Sequence, residues 1–201
     1  MKKFLIVSAA AFEITPLTER LHRRGHDFTA AECGIGALAA AGKAAELAVA
    51  AKDRHVIFIG TAGTFGPFTG TRLCTASRIV WLPTCERLGL GYGIPRGTLH
   101  EVGLSPPQNA AVGLAAMTVI CSPSISLQAG FTDDLLAVLD PVACVENLEL
   151  FSCIKPLLAS ARSVDVVLGI TNAVGAGAHD QWKKWHREAA EITAAHVEEK
   201  L

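Results

Sequence analysis

Charge is scarce in this 201-residue chain: Asp, Glu, Lys and Arg make up 18% of it, with a formal net charge of −1, against about a quarter in ordinary globular domains. It has no run of lysines or arginines, so neither a nucleic-acid backbone nor an acidic membrane surface is indicated as a partner. No apolar stretch reaches membrane-spanning length without a Gly or a polar residue interrupting it. The six cysteines, Cys33, Cys74, Cys85, Cys121, Cys144 and Cys153, form no CxxC and no Cys/His pairing at zinc spacing. They read as small buried apolar residues in a reducing, cytoplasmic compartment. G-x-S-x-G is missing, which excludes the nucleophile elbow of a serine hydrolase, and no clustered ligands suggest a metal. Repeats, linkers and low-complexity tails are missing as well, so residues 1–201 read as a single domain.

Apolar residues are plentiful, at 50% with a mean hydropathy of +0.35, enough for one substantial core. Abundant Ala and Gly together with the low charge point to a buried interface in a homodimer or higher homo-oligomer. The N-terminus, MKKFLIVSAAAFE, imitates a secretory signal but is too short, and Glu13 follows too soon. Lys2 and Lys3 ahead of Phe4 to Val7 suit the first central strand instead.

Along the chain, Phe4 to Ser8 is predicted as a strand and Ala9 to Phe12 as a loop. A helix follows that starts at Pro16, with Thr15 as N-cap and Leu17 and Leu21 facing inward. A strand at Phe28 to Glu32, an Ala-rich helix from Gly36 to Ala51 and a strand at Val56 to Ile59 ending in GTAGTFG complete the first half. Alternating strands and helices argue for an α/β fold with a parallel or mixed sheet. Arg72 to Trp81 reads as a strand, and Pro83 to Pro107, rich in Gly and Pro, as mostly loop. Ala116 to Cys121 is a strand, Asp133 to Leu139 a short helix, and Val142 to Glu146 a strand leading into a helix with Leu148, Phe151 and Ile154 on one face. The final helix places Trp182, Trp185, Ala189 and Ile192 on one stripe.

Two glycine motifs carry no nucleotide chemistry. Gly34 to Ala39 matches the dinucleotide fingerprint G-x-G-x-x-G/A, and Asp53 lies about twenty residues on. Its acid, however, precedes the next strand, whereas contact with a ribose needs it at that strand's carboxyl end. Gly36 to Gly42-Lys43-Ala44 has one residue too many for a P-loop and no Ser or Thr for Mg²⁺. His179 and His186 read as surface or loop histidines.

The chemistry gathers around Asp165 to Trp182. Val164, Val166, Val167, Leu168 and Ile170 form a buried strand that stops at Thr171-Asn172, and the polar end of such a strand is where this class of fold keeps its ligands. Gly175 and Gly177 then suit a tight loop, with Asp180 as N-cap of the last helix. An amide at Asn172 offers both a donor and an acceptor, which suits a 6-oxopurine with its ring-nitrogen site beside a carbonyl; it equally suits a loop cap bonding its own backbone. A parallel sheet would bring Asn172 together with Glu13 after the first strand, Glu149 at a helix start, and the small-residue turn Gly60-Thr61-Ala62-Gly63. Two carboxylates and an amide around a cleft suit N-glycosidic cleavage, which needs a base for water, an anchor for ribose hydroxyls and a donor for the departing purine. Acids near helix N-termini are also favoured with no such role.

Taken in order, several pieces resemble the purine nucleoside phosphorylase and nucleosidase superfamily, most closely its futalosine hydrolase branch. They are A-A-F-E with Pro16 soon after, G-I-G before a helix, G-T-A-G-T at a strand end, V-E-N-L-E before a helix, and I-T-N-A-V-G followed by Trp182. The resemblance implies a three-layer αβα sandwich around a mixed, partly barrel-like sheet, and a cofactor-free, metal-free nucleosidase acting on a small purine nucleoside, with a menaquinone pathway as its setting. It implies catalytic roles for Glu13, as activator of water, and Asn172, at the base. It implies substrate contacts for Glu149, which grips ribose hydroxyls, and for Leu148, Thr61, Ala62 and Gly63. The chain departs from the family where phosphorolytic members carry a phosphate-binding arginine, since Val56 to Ile59 is apolar. It also departs at Leu148 and Leu150 beside Glu149, and at Gly169, where adenine-cleaving nucleosidases tend to place an arginine. Methylthioadenosine or S-adenosylhomocysteine hydrolysis, phosphorolysis and non-catalytic purine binding are the remaining readings.

Overall fold

In the computed structural model, which describes residues 4–93 and 98–201, β1 (Phe4–Ser8), α1 (Ala11–Arg23), β2 (Phe28–Glu32), α2 (Ala37–Ala51) and β3 (His55–Thr64) alternate as expected. The three strands lie parallel in the order β2-β1-β3. Successive strand residues point to opposite faces, and these strands are apolar on both. Leu5, Val7, Val56 and Phe58 pack with α2, while Ile6, Ile57 and Ile59 pack with Ile14, Leu17 and Leu21 of α1. A sheet that is apolar on both faces needs helices on each side, which gives three layers.

The second half closes the sheet. It comprises β4 (Arg72–Trp81), short α3 (Thr84–Arg87), β5 (His100–Gly103), β6 (Ala115–Cys121), short α4 (Asp133–Leu136), β7 (Cys144–Glu146), α5 (Leu150–Leu157), β8 (Ser163–Ala173) and α6 (Ala178–Lys200). β8 runs parallel to β3 and antiparallel to β4; β4 pairs with β6, β6 with β7, and β7 returns antiparallel to β3. The ring β3-β8-β4-β6-β7 is therefore closed, a barrel-like core flanked by helices. α5 joins α2 on one side through Leu150, Ile154 and Leu157, and α6 joins α1 on the other through Ala194 and Val197. No described helix is long and apolar enough to cross a membrane.

Several boundaries differ from the sequence expectations. The first helix starts at Ala11, not Pro16, which lies inside it. Glu13 is thereby in the first turn, where an acid meets the positive end of the helix dipole. Strand β3 does not end at Ile59 but runs on through Gly60–Gly63, so GTAG is strand rather than turn, and β8 likewise continues through Thr171 and Asn172. Small residues suggest chain breaks, but each strand gains a neighbour that pairs these ends: β7 for β3, and β3 itself for β8. The strand expected from Val142 is a 3₁₀ turn at Pro141–Ala143 followed by Cys144–Glu146, because Pro141 opens a turn that Asp140 caps at the Val142 N–H. Leu148 precedes α5 instead of sharing its face. The expected helix to Leu139 ends at Leu136, and α6 begins after Gly177, with Asp180 in its first turn rather than at its cap. Of Gly175 and Gly177, only Gly175 has positive φ. The stretch expected to be loop from Pro83 to Pro107 contains α3 and the edge strand β5; residues 94–97 within it, like Lys2 and Lys3, lie outside the described residues. Cys85, unlike the other five cysteines, is exposed.

Candidate active site

The site arises from a gap in strand pairing. On one edge, β3 pairs with β1 as far as Phe58 and with β7 only from Gly63 onward. Between them the backbone of Thr61 has no strand partner on that edge, and buried N–H and C=O groups must find partners elsewhere. Side chains supply them. The Thr61 N–H donates to Glu13 Oε1 (3.0 Å), as does its hydroxyl (3.1 Å), and the Thr61 carbonyl accepts from Asn147 Nδ2 (3.1 Å). Divergence of neighbouring strands at the carboxyl end of a parallel sheet is where such folds bind ligands.

Glu13 reaches Thr61 because only Ala9 and Ala10 separate β1 from α1, and its other oxygen, Oε2, accepts from the Ala9 N–H (3.1 Å). The carboxyl is 5% exposed. Burial, and then the negative charge of Glu149, push its pKa from 4.5 up to about 7, against the lowering pull of the bonds from Thr61 and Ala9. Desolvation penalises the charged form, so near neutral pH this side chain can hold or release a proton.

Glu149 stands just before α5, and its Oε1 accepts from the N–H of Gly36 (2.8 Å), at the start of α2. Burial raises its pKa also, while the Gly36 bond opposes the rise. The glycine motif that imitates a dinucleotide fingerprint thus holds a carboxylate of this cavity.

Asn172 is 8% exposed, on β8 beside Gly63 of β3. Its Oδ1 accepts from the Thr171 hydroxyl (2.8 Å) and its Nδ2 donates to the Ala173 carbonyl (3.1 Å). The amide is therefore oriented by local bonds, as a cap would be, yet keeps a second N–H and acceptor capacity for a ligand. A Cβ on Gly63 would lie 2.7 Å from Asn172 Nδ2. Glycine is required there so that this side chain can cross the strand.

Glu13, Thr61, Ala62, Gly63, Leu148, Glu149 and Asn172 all line one cavity of about 280 Å³, close to the lower end of ordinary ligand pockets. Sequence reasoning gave no site role to the rest of its wall. Asn147 and Glu146 stood inside V-E-N-L-E; a polar residue just ahead of a helix is a capping signal, and the Asn147 Oδ1 accepts from the N–H groups of Glu149 (3.1 Å) and Leu150 (2.8 Å). Glu146 accepts from the Ser126 N–H (3.1 Å) and hydroxyl. Trp182 donates from Nε1 to Thr61 Oγ1 (3.3 Å), and its ring meets Phe12 edge-on and stacks on His186. His179, expected at the surface, is exposed on α6 at the cavity rim. Ile35 and Ile125, apolar residues outside the regular elements, carried no signal. No group of three or more potential metal ligands occurs among the described residues.

No family model and no curated protein matches the sequence. Solved structures do match the fold. A Helicobacter pylori 5′-methylthioadenosine/S-adenosylhomocysteine nucleosidase mutant with 5′-methylthioadenosine in its active site has 15% identity and a TM-score of 0.73, covering 100% of this chain and 98% of that one. An enzyme described as a putative nucleosidase of the same kind, from Francisella philomiragia, has 16% identity and a TM-score of 0.73, covering 99% and 98%. A mutant of Helicobacter pylori futalosine hydrolase has 18% identity and a TM-score of 0.70, covering 98% and 97%. The described residues have the nucleoside phosphorylase-like fold.

Proposed function

We propose that this chain hydrolyses the N-ribosidic bond of a purine nucleoside bearing a 5′ substituent, with futalosine as the favoured substrate. The observation that carries the reading is Glu13: a buried carboxyl with its pKa raised to about 7, on the wall of a cavity that also presents Glu149 and Asn172. In its ionised form Glu13 takes a proton from water as the water oxygen bonds to the anomeric carbon. The C1′–N bond breaks, its electron pair leaves with the purine, and the ribosyl ring passes through an oxocarbenium-like state. Glu149 accepts from the ribose hydroxyls and fixes the ring. An amide cannot give up a proton as a carboxylic acid does, so Asn172 stabilises the leaving purine by hydrogen bonding, and the proton the base gains comes from water.

Water is favoured over phosphate as nucleophile by charge. Glu13, Glu146 and Glu149 line the cavity, and none of the described lining residues is Lys or Arg. Phosphate recognition relies on such cations. Preference for a 6-oxopurine rests on Asn172 with its paired donor and acceptor. The second reading, cleavage of 5′-methylthioadenosine or S-adenosylhomocysteine, is favoured by the fold likeness to nucleosidases of that name. Exposed Ile35 and Ile125 on the cavity wall favour a homodimer that covers them, tested by sedimentation.

The discriminating experiment follows base release from futalosine, aminofutalosine, methylthioadenosine and inosine, each with and without phosphate. Hypoxanthine from futalosine, indifferent to phosphate, supports the first reading. Adenine from methylthioadenosine in its place supports the second, and a nucleoside that stays bound and intact would mean that the cavity only binds.

A further inference from the structure

Glu13 and Glu149 lie on elements far apart in the chain, yet each is tied to the same residue. Thr61 holds Glu13 through its N–H and hydroxyl, and its carbonyl accepts from Asn147 Nδ2 (3.1 Å). The other end of the Asn147 amide accepts from the N–H groups of Glu149 (3.1 Å) and Leu150 (2.8 Å), the first of α5. Asn147 is itself anchored, its N–H donating to the Ile120 carbonyl (3.1 Å), and is 5% exposed. Every strong bond of this amide therefore runs between the strand that holds one carboxylate and the helix start that carries the other. Gly36 fixes the far side of Glu149, so Thr61 and Asn147 complete the frame around it.

We infer that Asn147 is a positioning residue that sets the separation of Glu149 from Glu13, and with it the placement of the ribose against the attacking water. This rests on the hydrolytic reading above. Only an amide fits both ends: it donates to the Thr61 carbonyl and accepts from the helix. Aspartate could cap α5 but would face the Thr61 carbonyl with a second acceptor. It would also add a negative charge between two carboxylates whose ionisation already suffers from burial. Serine could cap α5 but is too short to reach Thr61. Displacing reacting atoms by about 1 Å costs about 100-fold in rate, whereas contacts to the rest of the nucleoside are untouched.

The test compares wild type, Asn147→Ser and Asn147→Asp. Asn147→Ser is expected to keep a cooperative unfolding transition and to lose kcat by about 100-fold with KM within about threefold. Asn147→Asp is expected to move the acid limb of the kcat/KM profile upward by about one pH unit, the direction a like charge imposes. A readout independent of turnover is the pH dependence of urea stability: the pH region in which folded Glu13 exchanges its proton should move upward in Asn147→Asp. Wild-type kcat in Asn147→Ser, or an unmoved stability profile in Asn147→Asp, overturns the inference. If wild type releases no base from any nucleoside, the hydrolytic reading fails alone, and the stability profile still decides whether Asn147 couples the two carboxylates.

Discussion

Replacing Glu13 by Gln should make the protein more stable at pH 8 while removing its activity. The folded pKa lies at about 7 against an ordinary 4.5. A raised carboxyl is stabilising to the folded state only as the acid: between pH 4.5 and 7 the folded chain keeps a proton that the unfolded chain has released, so stability falls as pH rises through that window. At 1.36 kcal/mol per pH unit this amounts to about 3 kcal/mol by pH 8. Glutamine does not titrate. Its carbonyl can accept the two Thr61 bonds, but its NH₂ then faces the Ala9 N–H, donor against donor, at a cost of about 1 kcal/mol at any pH. Glu13→Gln should therefore be less stable than wild type by about 1 kcal/mol at pH 4 and more stable by about 2 kcal/mol at pH 8. Urea denaturation of both proteins across this range, at one protein concentration and with unchanged m-values, measures the difference directly; groups common to both drop out. A difference constant with pH would refute the assignment of a raised pKa to Glu13.

The other predictions concern the same walls and the opposite end of the sheet. Glu149→Gln should weaken discrimination between ribo- and 2′-deoxynucleosides, and equal selectivity in mutant and wild type would remove its role at the sugar. Asn172→Asp should shift preference from 6-oxo towards 6-amino purines, read as a ratio of kcat/KM values; an unchanged ratio would take Asn172 out of base recognition. Gly63→Ala should push the Asn172 amide aside and cost about 10–100-fold in base release with little change in melting temperature, whereas normal rates would mean that the crossing is not needed. At the far end of β8, Asp165 is buried, accepts from the Gln108 and Asn109 N–H groups and pairs with His55. Its pKa is lowered: burial, the largest influence, raises it, but is outweighed by the His55 contact and these backbone bonds. A lowered carboxyl stabilises above its ordinary pKa and loses that contribution as pH falls through the folded value. Asp165→Asn should therefore cost about 2–4 kcal/mol at pH 7 and progressively less below pH 3.8. A loss that does not shrink in acid would count against the clamp.

How much of this was legible in the sequence depended on whether a signal is local. Buried strands announced themselves by apolar, β-branched runs, and Phe28–Glu32 and Arg72–Trp81 have the expected bounds. Closure of the sheet was not local. Because β7 pairs with β3 across some eighty positions, nothing near Gly60–Gly63 said that these small residues continue a strand. Pro16 misled because proline opens helices well, yet α1 accommodates it past the first turn. At the site, the acids and the amide could be named since few other polar groups stand where strands end. Asn147, inside V-E-N-L-E, and Trp182, after I-T-N-A-V-G, stand in segments the sequence marks out, but no role at the site is legible for them because their value lies in reaching Thr61, a contact made by the fold. Ile35 and Ile125 are cavity wall only by position.

Glu13 as the base that activates water is tested by the pH profile of kcat/KM for hypoxanthine release from futalosine in phosphate-free buffer, for wild type and Glu13→Gln. For the free enzyme this profile reports the ionisation of its essential base. The wild-type rate should climb through about pH 7 and level off above it, with Glu13→Gln slower by about 100-fold or more and lacking that limb. A wild-type profile flat between pH 5 and 9, or a Glu13→Gln protein that retains both rate and limb, would contradict it.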